Sequence, residues 1–413
     1  MRILHLSTYD SNGGAGRAAF ALHSAMVKAA MQSSMLVAQK STDDEHVQGL
    51  SGSRNLLWHT AQFADRKLWN LQSSPNTAWR SPGFFGALNA EHINNSDADV
   101  VNLHWVTNGF LSIREISRIR KPIVWSLYDM WVFSGATHYG TRNQSPRRSQ
   151  PFIKSNRNDG DRGFDLDRIT WQRKNKYWKK PIHLIPASSW LAREAKSSAL
   201  ASTWPISTIS HVVDTNQFAP MNQAEARMLL GLPLGVPLLL FLSSAGIRDS
   251  RKGWDLLEQG FKTIHDIHPE AEIVVAGPAE LNYTHSSGIT INWLGEIREN
   301  DHLRALYAAA DVVVVPSRED NMPLTAMEAQ SVGTPVVAFN IGGLPDIVNN
   351  GTTGRLVEPF NSEALASAIL EVLKMSKAQY SGASRAHALK TWSPDIVVKS
   401  YVDVYTEVLN NSI

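Results

Sequence analysis

Short apolar runs of strand length alternate with amphipathic stretches from one end of the chain to the other. This rhythm constrains the fold more than any other feature. In the first half the runs fall at residues 3–7, 34–39, 100–104, 123–127, 183–187 and 206–213. In the second half they fall at 238–243, 272–276, 290–293, 312–316, 335–339 and 355–357. Helical patterns separate most of them, such as 18–29 and 301–310; in the latter, Leu303, Leu306 and Tyr307 share one face. Strands that alternate with helices build parallel sheets covered on both sides. Two sets of six strands in 413 residues exceed what one core holds, so two Rossmann-like sheets are expected.

Composition narrows the function. The formal net charge is +2 and there is no cysteine. A dedicated nucleic-acid binder would be more basic. Disulfide scaffolds, thiol nucleophiles and Cys-ligated zinc fall away. The N-terminal apolar run is short and broken by His5, unlike a secretory signal. No window approaches the roughly 20 apolar residues of a membrane span. The expectation is a cytoplasmic protein, peripheral at the inner face of a membrane if it meets one.

The rhythm breaks at about 141–180. This segment holds twelve Arg and Lys against four Asp, a net charge of +8. It reads either as a basic patch for an anionic membrane or phosphate-bearing acceptor, or as a solvated insertion loop. His5, His23 and His138 read as core or loop histidines, and the tryptophans mostly as packing. No trio of His and carboxylates has metal spacing.

Two loops carry chemistry. The first strand runs into Asp10-Ser11-Asn12-Gly13-Gly14-Ala15-Gly16, where glycines let backbone N–H groups approach a phosphate or sugar. A dinucleotide site would need an acid at the end of the second strand. The chain has Ala38-Gln39-Lys40 there, so that reading is set aside. The second loop lies in the stretch DVVVVPSREDNMPLTAMEAQSVGTPVV at 311–337. A buried strand ends at Pro316-Ser317, and Pro323 sits where a helix's first turn should be. A helix carrying Glu328 follows and stops near Gly333. The N–H groups of Asn321, Met322, Leu324 and Thr325 would lack helical partners and favour a diphosphate or a sugar hydroxyl. Glu328, one turn on, could accept from a ribose diol. A plain helix cap fits the same residues.

This stretch resembles the E-x7-E signature of retaining GT-B glycosyltransferases, especially glycosyltransferase family 4. The second Glu falls on Glu328. The first falls on Asp320, a shorter carboxylate, with Glu319 beside it. The resemblance extends along nearly the whole chain. Gly13-Gly14 match the donor-side glycine loop, 99–105 matches the strand that ends in His104, and 187–191 and 213–220 match elements around the linker. Tyr128-Asp129 stands where the related stretch usually has His-Asp, and His211-Val212 where it has Asn-Gly. Lys252-Gly253 match the diphosphate clamp. The companion Arg position holds Ser or Ala, leaving Arg248 or Arg251 to substitute.

The resemblance implies an α/β GT-B fold: two Rossmann-like domains facing across a cleft, with a C-terminal helix crossing back to the first. The implied domains are 1–205 for the acceptor (with the basic insertion), 206–390 for the nucleotide sugar, and 391–413 for the returning helix. It implies a retaining, metal-independent hexosyltransferase without a cofactor. A nucleotide sugar, UDP-linked by preference, would be its donor and a saccharide or lipid-linked molecule its acceptor. The catalytic residues implied are His104, Lys252, Asp320 and Glu328. The donor would be bound by Gly13, Gly14, Arg248, Arg251, Lys252, Ile297 and Asp320 to Thr325, together with Glu328. Asp129 and Tyr128 would meet the acceptor. A nucleotide-sugar epimerase and a catalytically inactive sugar-nucleotide binder on the same fold remain open.

Overall fold

The structure, a computed structural model, describes residues 1–76, 78–140, 147, 149–244, 246–278 and 285–411. Arg142 and Arg148 of the basic segment, and Ala245 of the Lys252 loop, lie outside the described residues. The chain divides into two units: Met1–Ser210 with Val398–Ile413, and His211–Val397.

The first unit contains β1 (Arg2–Tyr9), β2 (Gln32–Gln39), β3 (Val47–Gly49), β4 (Gln72–Ser73), β5 (Val100–Leu103), β6 (Ile123–Leu127), β7 (Arg162–Gly163) and β8 (His183–Pro186). Six of these form a parallel sheet in the order β3-β2-β1-β5-β6-β8. β4 and β7 form a separate antiparallel pair. The second unit contains β9 (Leu238–Leu242), β10 (Glu272–Ala276), β11 (Thr290–Gly295), β12 (Val312–Val315), β13 (Val336–Phe339) and β14 (Gly354–Val357). These form one parallel sheet ordered β11-β10-β9-β12-β13-β14. Both are Rossmann-like sheets. Their central strands are buried on both faces: all four residues of β5 and all four of β12 are buried, and β12 is apolar throughout.

Strand order fixes where chemistry can sit. The chain runs outward from β1 to β3 and then returns to β5 on the other side of β1; it does the same around β9 and β12. Loops at the carboxyl ends of those strand pairs diverge and leave a crevice, the usual ligand position in such sheets.

One expected strand is corrected. Residues 206–213 do not form a strand. Ile206 makes a single bridge to Leu184, and Ser207 and Ile209 donate to Leu184 and Pro186 before the ladder stops. The sixth strand is instead the three-residue β3, whose single buried residue, Val47, leaves no apolar run to read.

The helix Pro394–Asn410 contributes its residues from Val398 onward to the first unit. There the Tyr405 hydroxyl accepts from Asn102 at 2.8 Å, and the Tyr401 and Ser126 hydroxyls lie 3.0 Å apart. Among the described residues no helix is long and apolar enough to cross a membrane.

The basic segment is in part interior. Arg147 forms a buried ion pair with Asp165 at 2.5 Å. Lys174 is fully buried beneath the 131–135 turn and donates to the carbonyls of Trp131 and Gly135. Lys154, Arg162, Lys176, Lys179 and Lys180 stay exposed.

Candidate functional site

In the second unit, the loops after β9 and β12 meet at the reversal of strand order. The first makes two short 3₁₀ turns, Gly246–Arg248 and Ser250–Lys252, and then reaches Gly253. Gly253 adopts φ 71°, and a Cβ there would lie 1.9 Å from the Pro316 carbonyl oxygen. Only glycine lets the Lys252 turn press against the end of β12. Arg318 locks the two loops together. Its backbone N–H donates to the Arg251 carbonyl at 2.7 Å, and its guanidinium grips both Asp255 oxygens at 2.7 and 2.5 Å.

This approach brings Lys252 Nζ to 2.6 Å from Asp320 Oδ2. Asp320 is buried and also accepts from the Ser317 hydroxyl at 3.2 Å. Its backbone carbonyl accepts from Gly343 N at 3.0 Å. Gly342, at φ 59°, comes so close that a Cβ would stand 2.1 Å from the same oxygen. Burial acts to raise the Asp320 pKa. The charges of Lys252 and Arg251 and the hydrogen bonds from Lys252 and Ser317 outweigh it, holding the carboxyl below its usual range. Arg251 pairs with Asp249 at 2.8 Å.

The helix after this loop is Leu324–Val332, ended by Gly333 at φ 90°. Pro323 is its cap residue rather than part of its first turn, and the helix opens at Leu324. Asn321 and Met322 are buried just ahead of it. The N–H groups of Ala326 and Met327 donate to the Pro323 carbonyl, and helix geometry leaves those of Leu324 and Thr325 without intrahelical acceptors. Glu328 is buried inside the helix and accepts from the Tyr307 hydroxyl at 2.8 Å.

Lys252, Arg251, Asp320 and the helix start are thus gathered around one switch point. Arg248 lies on the same loop, one 3₁₀ turn earlier. Ile297 is set apart: it follows β11, the edge strand, two strands from β9. Two neighbours were not singled out as site residues from sequence. Tyr307 looked like one apolar face of a helix. His211 lies within electrostatic reach of Asp320, and burial pushes its pKa down to about 4 against the pull of that carboxylate. Its only signal was the departure from Asn-Gly.

In the first unit, the corresponding strand ends carry mostly rings, with two buried carboxylates, Asp10 after β1 and Asp129 after β6. Gly13 and Gly14 open the helix Gly13–Lys28, with Gly13 at φ 70°. His104 follows β5 and is buried. Its Nε2 lies 2.8 Å from His5 Nδ1, and its Nδ1 lies 2.8 Å from the Tyr128 hydroxyl. Both ring nitrogens are therefore engaged, so a direct hydrogen bond to a sugar would require giving one up.

Asp129, after β6, is similarly engaged. Oδ1 accepts from Trp131 N at 2.9 Å, and Oδ2 accepts from Trp105 Nε1 at 3.1 Å and lies 2.6 Å from His138 Nδ1. His138 reaches the Ser81 hydroxyl through Nε2 at 2.8 Å. His104, Trp105, Tyr128, Asp129, Trp131 and His138 line one pocket of this unit. His138 is thus buried, as a core histidine would be, and yet stands in the wall of a candidate site. Among the described residues no group of three His, Cys, Asp or Glu is placed to hold a metal ion.

Comparison with known proteins gives matches of sequence and of fold. Residues 236–375 fit the family described as Glycosyl transferases group 1. A D-inositol 3-phosphate glycosyltransferase of Mycolicibacterium gilvum is 32% identical over 187 residues, 43% of this chain and 41% of that protein. The Corynebacterium glutamicum enzyme of the same name is 34% identical over 184 residues, 41% of this chain and 43% of its own. The match therefore spans well under half the length of these relatives. Over the full chain, the fold is similar to sucrose-phosphate synthase from Thermosynechococcus elongatus (TM-score 0.70, 18% identity, 100% of both chains). It is also similar to Anabaena Alr3699/HepE in complex with UDP-glucose (TM-score 0.64, 16% identity, 98% of this chain and 100% of that one). The second sheet and its charged switch point thus belong to a glycosyl transferases group 1 domain, carried on a chain with the GT-B glycosyltransferase fold.

Proposed function

We propose that the chain is a retaining glycosyltransferase that moves a hexose from a nucleotide sugar to a saccharide or lipid-linked acceptor. The Lys252–Asp320 pair at the β9/β12 switch point, beside Arg251 and ahead of the helix start at Leu324, carries this reading. A departing nucleoside diphosphate gains negative charge in the transition state. Lys252, Arg251 and the helix end supply fixed positive groups against it, so the reading asks for no metal ion and no cofactor. UDP is the favoured nucleotide, because the Anabaena neighbour holds UDP-glucose.

The proposed roles are these. Lys252 leaves Asp320 for the diphosphate, and the freed carboxylate accepts from sugar hydroxyls. Glu328, steadied by Tyr307, faces the ribose, and in the first unit the Gly13-Gly14 turn offers a close backbone approach to a phosphate or sugar. In the transfer step the bond from the anomeric carbon to the phosphate oxygen breaks and the acceptor oxygen bonds that carbon on the same face. The acceptor's proton passes to the leaving phosphate oxygen. The acceptor docks at the mouth of the first unit's small aromatic pocket, with Tyr128, Asp129 and His104 in its wall and His104 acting through Tyr128 as a positioning residue. Exposed Ile153 and Phe164, among exposed Lys154 and Arg162, support a lipid-linked acceptor at an anionic membrane.

The test is a panel of UDP-, GDP- and ADP-hexoses with and without saccharide acceptors, read as nucleotide release. Release that depends on an acceptor supports transfer. Interconversion of the sugar without an acceptor would support an epimerase, and binding without turnover an inactive sugar-nucleotide binder.

A further inference from the structure

A row of rings crosses the first unit. His46, His23, His5, His104 and Tyr128 succeed one another with ring centroids 6.5, 5.7, 5.1 and 5.9 Å apart. The reading above uses only the last two. His5 is 0% exposed on the central strand β1; among the described residues its side chain has one hydrogen-bonding neighbour, His104, and its Nε2 is buried without a partner. A fully buried histidine there needs a reason, because a leucine would fill β1 at lower cost.

We infer that His5 is a positioning residue: it donates from Nδ1 to His104 Nε2, fixes His104 as the Nδ1–H tautomer, and so turns the Tyr128 hydroxyl into a hydrogen-bond donor towards the acceptor pocket. Neutral imidazole carries one N–H. If it sat on His5 Nε2, that donor would be buried without an acceptor, the rarer orphan in folded proteins. Placed on Nδ1, it points at His104. His104 Nε2 is then an acceptor, and the ring's own N–H is at Nδ1, aimed at the Tyr128 oxygen 2.8 Å away. The Tyr128 oxygen accepts, so its own proton is directed away from His104. Each bond polarises the next and strengthens the terminal donor. Burial, with the neighbouring His104 and His23, keeps His5 from taking the second proton that would destroy this direction.

Part of this inference rests on the proposed transfer reaction, so the test has two arms. Nitrogen-15 spectra of the protein labelled at histidine report which ring nitrogen carries hydrogen, whether or not the protein turns over. A protonated Nδ1 and bare Nε2 on His104 are expected in the wild type and in His5→Asn, whose amide N–H stands in for Nδ1–H. Mixed tautomers are expected in His5→Phe. Nε2–H on wild-type His104 would overturn the inference. In transfer assays, His5→Phe should lower kcat about tenfold, the effect of one positioned hydrogen bond. His5→Asn should recover most of it, and Tyr128→Phe should reproduce the loss. Equal loss in the Asn and Phe variants, with unchanged His104 spectra, would reduce His5 to packing. Correct spectra with no transfer by the wild type would sink the reaction reading and leave the tautomer assignment standing.

Discussion

The two units share one strand order, and each places its chemistry where that order reverses, yet they equip the position differently. At β9/β12 the groups are charged: Lys252 and Asp320 at 2.6 Å, Arg251 on Asp249, and Arg318 on Asp255. At β1/β5 and the neighbouring β6 they are rings. His5, His104 and Tyr128 form one chain, Trp105 and His138 converge on the Asp129 carboxylate, and the other buried carboxylate there, Asp10, is taken up by the backbone N–H groups of Ser41 and Thr42. Fixed ions suit a diphosphate, which is charged before the reaction and more so as it leaves. Neutral directional donors and aromatic faces suit sugar hydroxyls, where orientation matters more than charge. One topology, used twice, is thus specialised by the few side chains at its loop ends.

That contrast can be broken experimentally. Lys252→Ala should have the largest effect, a fall in kcat of about 10²–10³. Acceptor binding, measured by calorimetry, should hardly change. Equal weakening of both ligands would erase the proposed division of labour. Asp129→Asn comes next. It replaces an acceptor that serves Trp105, Trp131 and His138 with a group that is half donor, at a cost of about 2–3 kcal/mol in denaturant unfolding. Nucleotide affinity should survive it.

The smallest effect concerns acid. The Asp320 carboxyl is held below its ordinary pKa, so its contribution to stability is complete above the unfolded-state value. It is lost as pH falls through the lower folded-state value. Asp320→Asn should therefore lose about 1–2 kcal/mol at neutral pH and show a flatter stability curve below about pH 4. A curve parallel to the wild type would mean that the Lys252 pair does not stabilise the folded domain.

Much of the second unit was readable from sequence because its signals are local. The run Val312–Val315, the proline before Leu324 and the glycine after Val332 specify strand, helix start and helix stop within about twenty residues. All six of its strands were readable for the same reason. The first unit was less legible. Its edge strand β3 is three residues long, and residues 206–213 have a strand's composition while running beside β8 with only one bridge. The basic segment looked uniform in sequence, but Arg147 and Lys174 turn inward where Asp165 and the carbonyls of Trp131 and Gly135 receive them.

Periodicity and loop composition alone determined the two parallel sheets, the glycine turns and the helix ahead of which a phosphate could rest. These depend on backbone preferences and burial within a few residues. Tertiary structure decided which side chains meet. His5 finds His104 from 99 positions away, and Lys252 finds Asp320 from 68. Those meetings depend on strand order, on a glycine that lets two loops touch, and on which tautomer leaves fewest buried donors without partners. None of these is written within a single window of sequence, because each is a balance struck only when distant strands lie side by side.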